Sequence, residues 1–404
     1  MLVSSASGLT FWGMIGTLGP LTAAGSMIGV LPKQLKTFIL LIGPIFVPFG
    51  NFIMGFFTDR LGRKKIFLIT MIIYGTGIVI IALSYSFLPL VIGLMLAEFG
   101  VGGEEIPSLS LISEDSPVSQ RAKWLTIISD FDNIGSAIIA GLFIVIVNSF
   151  LDRLVLIVAA IVLIIIMVIS RIKLPESYKW QEEHGETEKG AATRSELYID
   201  YQGKNVNRPK YRLSLFVLMA MAISQYTTFG LMAYIIGPYE FPGVYIDDMI
   251  IFVALIGASI GGFIAAPLIS KGRKIYTSYS YIIGFLTIVA IFLLMPDLHN
   301  VFIFYPLLFL NMVMSEMAWA SRTTLEPELA PTRIRGTFIG TVRLAPMIVY
   351  PILVVLTSTL SLYYFIILNM ILWLLGVIGA LVWNHYGIET KDVNIDYREE
   401  LNAR

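Results

Sequence analysis

Cysteine is absent from this sequence, which removes disulfides and thiol chemistry without fixing a redox compartment. Charge is scarce: 14% of the 404 residues are Asp, Glu, Lys or Arg, against roughly a quarter in an ordinary soluble domain. The three histidines, His184, His299 and His385, stand far apart and offer no pair at metal-ligand spacing. No Gly-rich phosphate loop is present, so ATP is not expected as a partner. No nucleophile–base constellation points to an enzyme. The net charge of zero gives no electrostatic reason to expect nucleic acid. No basic region precedes the first apolar stretch, so no cleavable signal peptide is expected.

What is present is apolar: 56% of the residues are hydrophobic and the mean hydropathy is +0.80. Long apolar runs recur along the whole chain, and a helix is the natural way to close every backbone hydrogen bond in lipid. Twelve spans are expected, within 8–31, 35–57, 65–84, 87–112, 123–149, 152–172, 212–238, 246–270, 275–295, 300–325, 336–359 and 361–384. Residues 174–211 differ, being charged and poor in large apolar side chains. They read as a solvated linker with one short amphipathic helix near 191–201, and they split the helices six and six.

Lys and Arg are strongly sided. With the loop at 58–65 placed in the cytoplasm, 23 of the 28 fall on the cytoplasmic side and three (Lys33, Lys36, Arg153) on the other. Arg322 and Arg343 lie within expected helices. This bias predicts both termini in the cytoplasm. An internal repeat accompanies it. Glu114, Pro117 and Arg121 share their spacing with Glu328, Pro331 and Arg335, 214 residues on, and "LGRKK" at 61–65 matches "KGRKI" at 271–275, 210 residues on. The expected fold class is an all-α polytopic membrane protein with twelve transmembrane helices as two six-helix bundles in parallel repeat. The first bundle occupies 1–173, the linker 174–211, the second bundle 212–386 and a cytoplasmic tail 387–404. Such an architecture is that of a secondary transporter, with its solute site between the halves near the midplane.

The residues also resemble a family. "GFFTDRLGRKK" (55–65) is similar to the hinge signature of the major facilitator superfamily. "LPESYKW" (174–180), "PELAPTRIRGTFIG" (327–340) and "GGEEIP" (102–107) resemble elements of its sugar-porter and organic-ion branch, including metabolite porters. There are departures. No Arg stands upstream of the double glycine, where Leu94 and Met95 lie. Residues 1–31 hold no acid, helix 7 holds only Gln225 of a usual Gln pair, and the branch's Gly-Pro-x-Pro-Trp element of helix 10 is missing. These weaken a sugar more than they weaken a transporter.

Gly55 and Gly62 would let helices 2 and 3 turn tightly and approach the other half. Arg60, Arg63, Lys64 and Lys65 would anchor the hinge to the cytoplasmic face. The resemblance implies that Asp59, Arg63, Glu114, Arg121, Glu328 and Arg335 form latches between the halves, with Arg60, Arg273 and Arg343 as further latch or gate charges. Arg343 stands eight past Arg335, as Ser129 stands eight past Arg121.

Ionisable groups inside a bilayer are costly, so each is a functional candidate. Glu98 and Glu105 are seven apart on one face of helix 4, and Glu104 lies about 100° round from Glu105. Asp130 and Asp132 on helix 5 point to nearly opposite faces, one towards the cavity and one towards the basic hinge after helix 8. These five acids are the proton-coupling candidates, with the resemblance singling out Glu105. Gln225, Tyr226 and Thr228 on helix 7, with Glu316 and Trp319 on helix 10, are the solute-contact candidates. Gly237-Pro238 and Pro242-Gly243 are expected to break helix 7. Trp12 and Trp383 are expected at interfaces or in packing.

Together these features predict a plasma-membrane carrier for a small polar solute, working as a monomer by alternating access. The proton is the expected coupling ion, and no other cofactor or metal is expected. The excess of Glu98, Glu104, Glu105 and Glu316 over Arg322 and Arg343 tilts the solute towards a sugar, a related metabolite or an organic cation. An anionic metabolite held by Arg343 comes third. A non-transporting membrane sensor on the same fold would predict decayed hinges, and both acid–Pro–Arg hinges are intact.

Overall fold

The structure is a computed structural model, and it describes residues 2–24, 29, 31–145, 149–172, 176–197, 211–241, 243–330 and 332–393. Leu174, Pro175, Pro242 and Pro331, the end of the expected linker helix beyond 197, and the tail beyond 393 lie outside the described residues.

Twelve long helices follow the apolar runs. In the first half they are α1 (Leu2–Ala24), α2 (Lys33–Leu61), α3 (Arg63–Leu83), α4 (Phe87–Asp115), α5 (Arg121–Val145) and α6 (Ser149–Ile172). In the second they are α7 (Tyr211–Glu240), α8 (Val244–Ile269), α9 (Arg273–Leu293), α10 (Val301–Leu329), α11 (Arg335–Thr357) and α12 (Leu362–Tyr386). Ten of them are long and apolar enough to cross a membrane by composition. The other two, α1 and α6, have 23 and 24 residues, and at 1.5 Å per residue each is about 35 Å long, enough for a bilayer core of about 30 Å. The large side chains left exposed along the helices are mostly Ile, Leu, Val and Phe, as lipid contact demands.

Three details depart from the sequence expectation. Helix α5 is locally irregular at Asp130, between segments Arg121–Ser129 and Phe131–Val145, while Asp130 N still donates to Thr126 O and Ile134 N to Asp130 O. Helix α7 runs through Gly237-Pro238 to Glu240 instead of breaking there. It does so by a π-helical turn at Leu231–Ile235, placed just before the proline whose missing N–H would have left a gap in the α ladder. The linker holds two short helices, Tyr178–Glu183 and Thr187–Leu197, where one near 191–201 was expected.

The halves meet along two main seams. Helix α2 packs lengthwise on α11, and α5 packs on α8 and α10. The repeat relates these seams: α8 is the counterpart of α2, and α5 the counterpart of α11. The end of the molecule bearing the loops at 62, 116–120, 270–272 and 330–334 is called the basic end below.

Candidate functional site: a closed cavity and the charges that bracket it

At the basic end, Arg63 donates to Glu114 at 2.7 and 3.2 Å, and Arg273 donates to Glu328 at 3.0 and 3.4 Å. The two pairs are repeat partners, each inside its own half. Glu114 also accepts from Arg335 at 2.6 Å, which crosses to the other half. Arg121 meets the backbone carbonyl of Val393 at 3.2 Å. Arg60, expected in the latch, lies instead over the ring of Phe56 at 3.9 Å, on the exposed side of α2.

A third matching element of the two-fold repeat escaped the sequence reading. Glu176 accepts from the backbone N–H groups of Arg63 and Lys64, and Glu389 accepts from those of Arg273 and Lys274. Each carboxylate thus sits on a helix N-terminus, where orphan N–H groups and the dipole favour it. The next residues, Ser177 and Thr390, donate to Glu114 and Glu328 respectively. The signal was there as Glu-Ser and Glu-Thr, 213 residues apart.

Asp59 ties the α2–α11 seam. It accepts from Gly336 N at 3.1 Å, and from Thr337 N and Thr337 Oγ1, both at 2.8 Å. A residue of one half thereby caps the first turn of a helix in the other. The approach needs glycine. A Cβ built on Gly55 would lie 2.7 Å from the Gly336 carbonyl oxygen, and one built on Gly336 would lie 2.7 Å from the Gly55 oxygen. Gly62 turns the chain from α2 into α3 at φ +95°, and a Cβ there would meet Glu176. The linker joins this latch, because Trp180 Nε1 donates to the Asp59 carbonyl at 2.7 Å.

The opposite end is also closed. Lys33 Nζ donates to Ser358 O at 2.7 Å, and Thr37 Oγ1 lies 3.1 Å from the Tyr239 hydroxyl. Both contacts join the first turns of α2 to the other half.

Between the closures lies a cavity of about 70 Å³, room for roughly five waters. Its walls come from α1, α2, α4, α7 and α11, and include Trp12, Gly43, Glu98, Tyr226, Tyr234 and Tyr350. The rings of Tyr226 and Tyr350 meet edge to face at 5.6 Å. Among the described residues Glu98 is the one acid of this wall. It is 1% exposed, it makes no ion pair among the described residues, and its Oε2 has no hydrogen-bond partner. An unpaired buried carboxyl is expensive, so this position must be relieved by a proton or a ligand. Trp12, expected in packing or at an interface, is instead part of this wall.

The other candidates lie elsewhere. Glu104 faces α3, where Thr70 donates to it at 2.7 Å, well away from the cavity. Glu105 forms an ion pair across the halves with Arg343. Arg343 also reaches Glu326 at 3.1 Å, Glu326 takes Arg322 at 2.5 Å, and Arg322 donates to Gln225 Oε1 at 3.3 Å. Trp319 lies under both guanidinium groups, at 4.1 and 5.1 Å from its ring centre. Glu326 was not singled out from sequence, although it neutralises the two arginines of the membrane region. Gln225 and Trp319 therefore serve this network, and Thr228 donates back to Ser224 O in its own helix at 2.8 Å. Of the five expected solute contacts, only Tyr226 lines the cavity. The acid excess inferred for the cavity reduces to Glu98.

Asp130 faces mid-α8, not the basic hinge after it: a Cβ on Gly262 would lie 2.3 Å from its carboxyl carbon. Asp132 accepts from the backbone N–H of Asn133 at 2.5 Å. Glu316 packs beside Gly261 on the same stretch of α8.

Comparison with known proteins agrees with this geometry. The family model described as Major Facilitator Superfamily matches residues 1–352. The minor myo-inositol transporter IolF of Bacillus subtilis (strain 168) is 25% identical over 248 residues, 60% of this chain and 53% of that protein. That match spans about half the length of the relative. The inner membrane metabolite transport protein YdjE of Escherichia coli (strain K12) is 25% identical over 396 residues, 87% of this chain and 84% of that protein. Among solved structures, the proton:xylose symporter XylE bound to 6-bromo-6-deoxy-D-glucose superposes with a TM-score of 0.76 at 17% identity, covering 98% of this chain and 96% of that one. The inward open conformation of the xylose transporter XylE from E. coli gives 0.68 at 15% identity, covering 98% and 97%. These two likenesses concern the fold. With a matching family model over most of its length, twelve helices in two repeated halves and the charged hinges in both, the chain belongs to the Major Facilitator Superfamily.

Proposed function

We propose that the protein is a secondary active carrier that moves a small polyhydroxylated solute, a cyclitol or sugar, through the cavity between its bundles, coupled to protons. The observation that carries this reading is the unpaired Glu98 in a closed, aromatic-walled cavity. Tyr and Trp faces suit the C–H faces of a polyol ring, and a carboxylate accepts hydrogen bonds from vicinal hydroxyls. A protonated Glu98 is the cheaper state in the empty closed cavity. Solute and proton therefore meet at one group, which is what coupling requires. The names of IolF and YdjE, a myo-inositol and a metabolite transporter, support the solute class. With both ends closed, the halves must part to admit the solute.

Alternating access would proceed by exchanging closures. Asp59 and Glu114–Arg335 open one end, while Lys33–Ser358 and Thr37–Tyr239 open the other. The Lys and Arg bias supports a cytoplasmic basic end and cytoplasmic termini, in a carrier of the plasma membrane. The carrier works as a monomer and needs neither ATP nor nucleic acid. An organic cation is the second reading, favoured by the same lone carboxylate among aromatic rings.

The test is uptake into proteoliposomes of myo-inositol, xylose and tetraethylammonium, each with and without an inward proton gradient. Gradient-driven accumulation of a polyol supports the reading. Accumulation of tetraethylammonium alone selects the second, and no gradient effect on any solute removes proton coupling.

A further inference from the structure

The two seams are not tied alike. Asp59 caps α11 across the α2–α11 seam, but at the equivalent level of the α5–α8 seam the repeat offsets of 210 and 214 place Ile269 against Ala122, both buried in a small apolar cluster. Farther into the membrane this second seam carries acids instead. Asp130 of α5 and Glu316 of α10 flank adjacent glycines of α8, Gly262 and Gly261. They are 0% and 2% exposed. Asn133 lies beside Asp130, with its Nδ2 donating to Asp130 Oδ1 at 3.2 Å. Asp130 Oδ2 and Glu316 Oε1 are buried with no hydrogen-bond partner.

Among the described residues no cation pairs with either group. Arg343 is held by Glu105 and Glu326, and Arg322 by Glu326 and Gln225. Asp132 of α5 is a further buried carboxyl near Glu316 and not a cation. Tyr276 of α9 spends its hydroxyl on Met317 O. Among the described residues no group of His, Asp and Glu has the geometry to hold a metal ion. Two ionised carboxylates in a dry seam repel strongly, and one proton bound by the pair removes that repulsion.

We propose that Asp130 and Glu316 form a second proton site, separate from Glu98, which binds one proton across the seam when α5 closes on α8 and α10. The proton comes from water when the seam shuts and returns to water when it opens. With the proton bound, the charge of the pair is −1 and the seam is stable. Without it, the charge is −2 and the halves are pushed apart at the basic end. The site would thus set which end is open, while Glu98 handles the solute.

The absence of cysteine makes the test direct. Spin labels at Ser119→Cys and Lys271→Cys, in exposed loops on either side of this seam, report its opening by pulsed EPR in nanodiscs. Raising the pH should lengthen the distance in the parent. Glu316→Gln and Asp130→Asn should each remove that response and keep the distance short, and the double variant should add nothing further. Glu98→Gln should leave the response in place, which separates this site from the solute reading. The proposal is overturned if the parent distance ignores pH, if both amide variants keep the full response, or if Glu98→Gln alone abolishes it. It is equally overturned if the distance follows replacement of sodium by choline at constant pH.

Discussion

Asp59 and Thr337 are joined by two hydrogen bonds of 2.8 Å, one from the backbone N–H and one from the hydroxyl, across the seam between α2 and α11. A helix in one bundle therefore begins on a side chain of the other. Losing such a cap costs about 1 kcal/mol, and the missing carboxylate charge adds a few tenths at a helix N-terminus. Asp59→Ala should therefore shift the balance towards a state open at the basic end by roughly tenfold. Thiol-reagent accessibility of a cysteine placed at Asn51 would measure this, and unchanged accessibility would remove Asp59 from the latch.

Glycine at the same seam sets the distance. A methyl group at Gly55 would overlap the Gly336 carbonyl oxygen at 2.7 Å. Gly55→Ala should prevent full closure of the basic end, reduce uptake several-fold and leave folding intact. Gly75, which has nothing within 4 Å of its Cβ position, is the control: Gly75→Ala should transport normally.

Glu114 serves three partners, Arg63, Ser177 and Arg335, in a fully buried place. Removing its charge leaves two buried guanidinium groups without their carboxylate, which costs about 3–5 kcal/mol for a broken buried pair. Glu114→Ala should lower the melting temperature by several degrees. Arg63→Met in the same background should restore part of the loss, because it deletes a buried cation left with only its longer contact to Asp59 at 3.8 Å. A double variant less stable than Glu114→Ala would contradict the pairing.

At the linker, burial raises the Glu176 carboxyl above its ordinary 4.5, against the lowering effect of the backbone N–H groups that it caps. The folded state then binds more protons than the unfolded state between 4.5 and the raised value. Stability from this group is present at lower pH and is lost as pH rises through that window. Glu176→Gln should flatten the dependence of melting temperature on pH there. An unaltered slope would place the titrating group elsewhere.

The twelve spans could be read from sequence because lipid leaves a backbone few options, and the hinges because the same charges recur 210 and 214 residues apart. What each buried acid faces could not be read. Glu98 and Glu105 share a face of α4, yet one looks into the cavity and the other is taken by Arg343 from the opposite bundle. Helical periodicity gives the angle of a side chain, while its partner depends on how the bundles dock. Glu326 stayed hidden for a similar reason, lying two residues before the hinge acid Glu328 and partnered only in three dimensions. Glu389 and Thr390 were legible in principle, since they repeat Glu176 and Ser177. The irregularity of α5 falls on Ser129-Asp130-Phe131, with no Gly or Pro to mark it, and Pro238 of α7 reads as a break although the π turn before it lets the helix continue.

The central claim is that Glu98 couples solute to protons. The direct measurement is myo-inositol transport in proteoliposomes by the parent and by Glu98→Gln, recorded both as accumulation driven by a proton gradient and as equilibrium exchange. The account predicts that the parent does both, and that Glu98→Gln keeps exchange but loses accumulation. Undiminished accumulation by Glu98→Gln would contradict it.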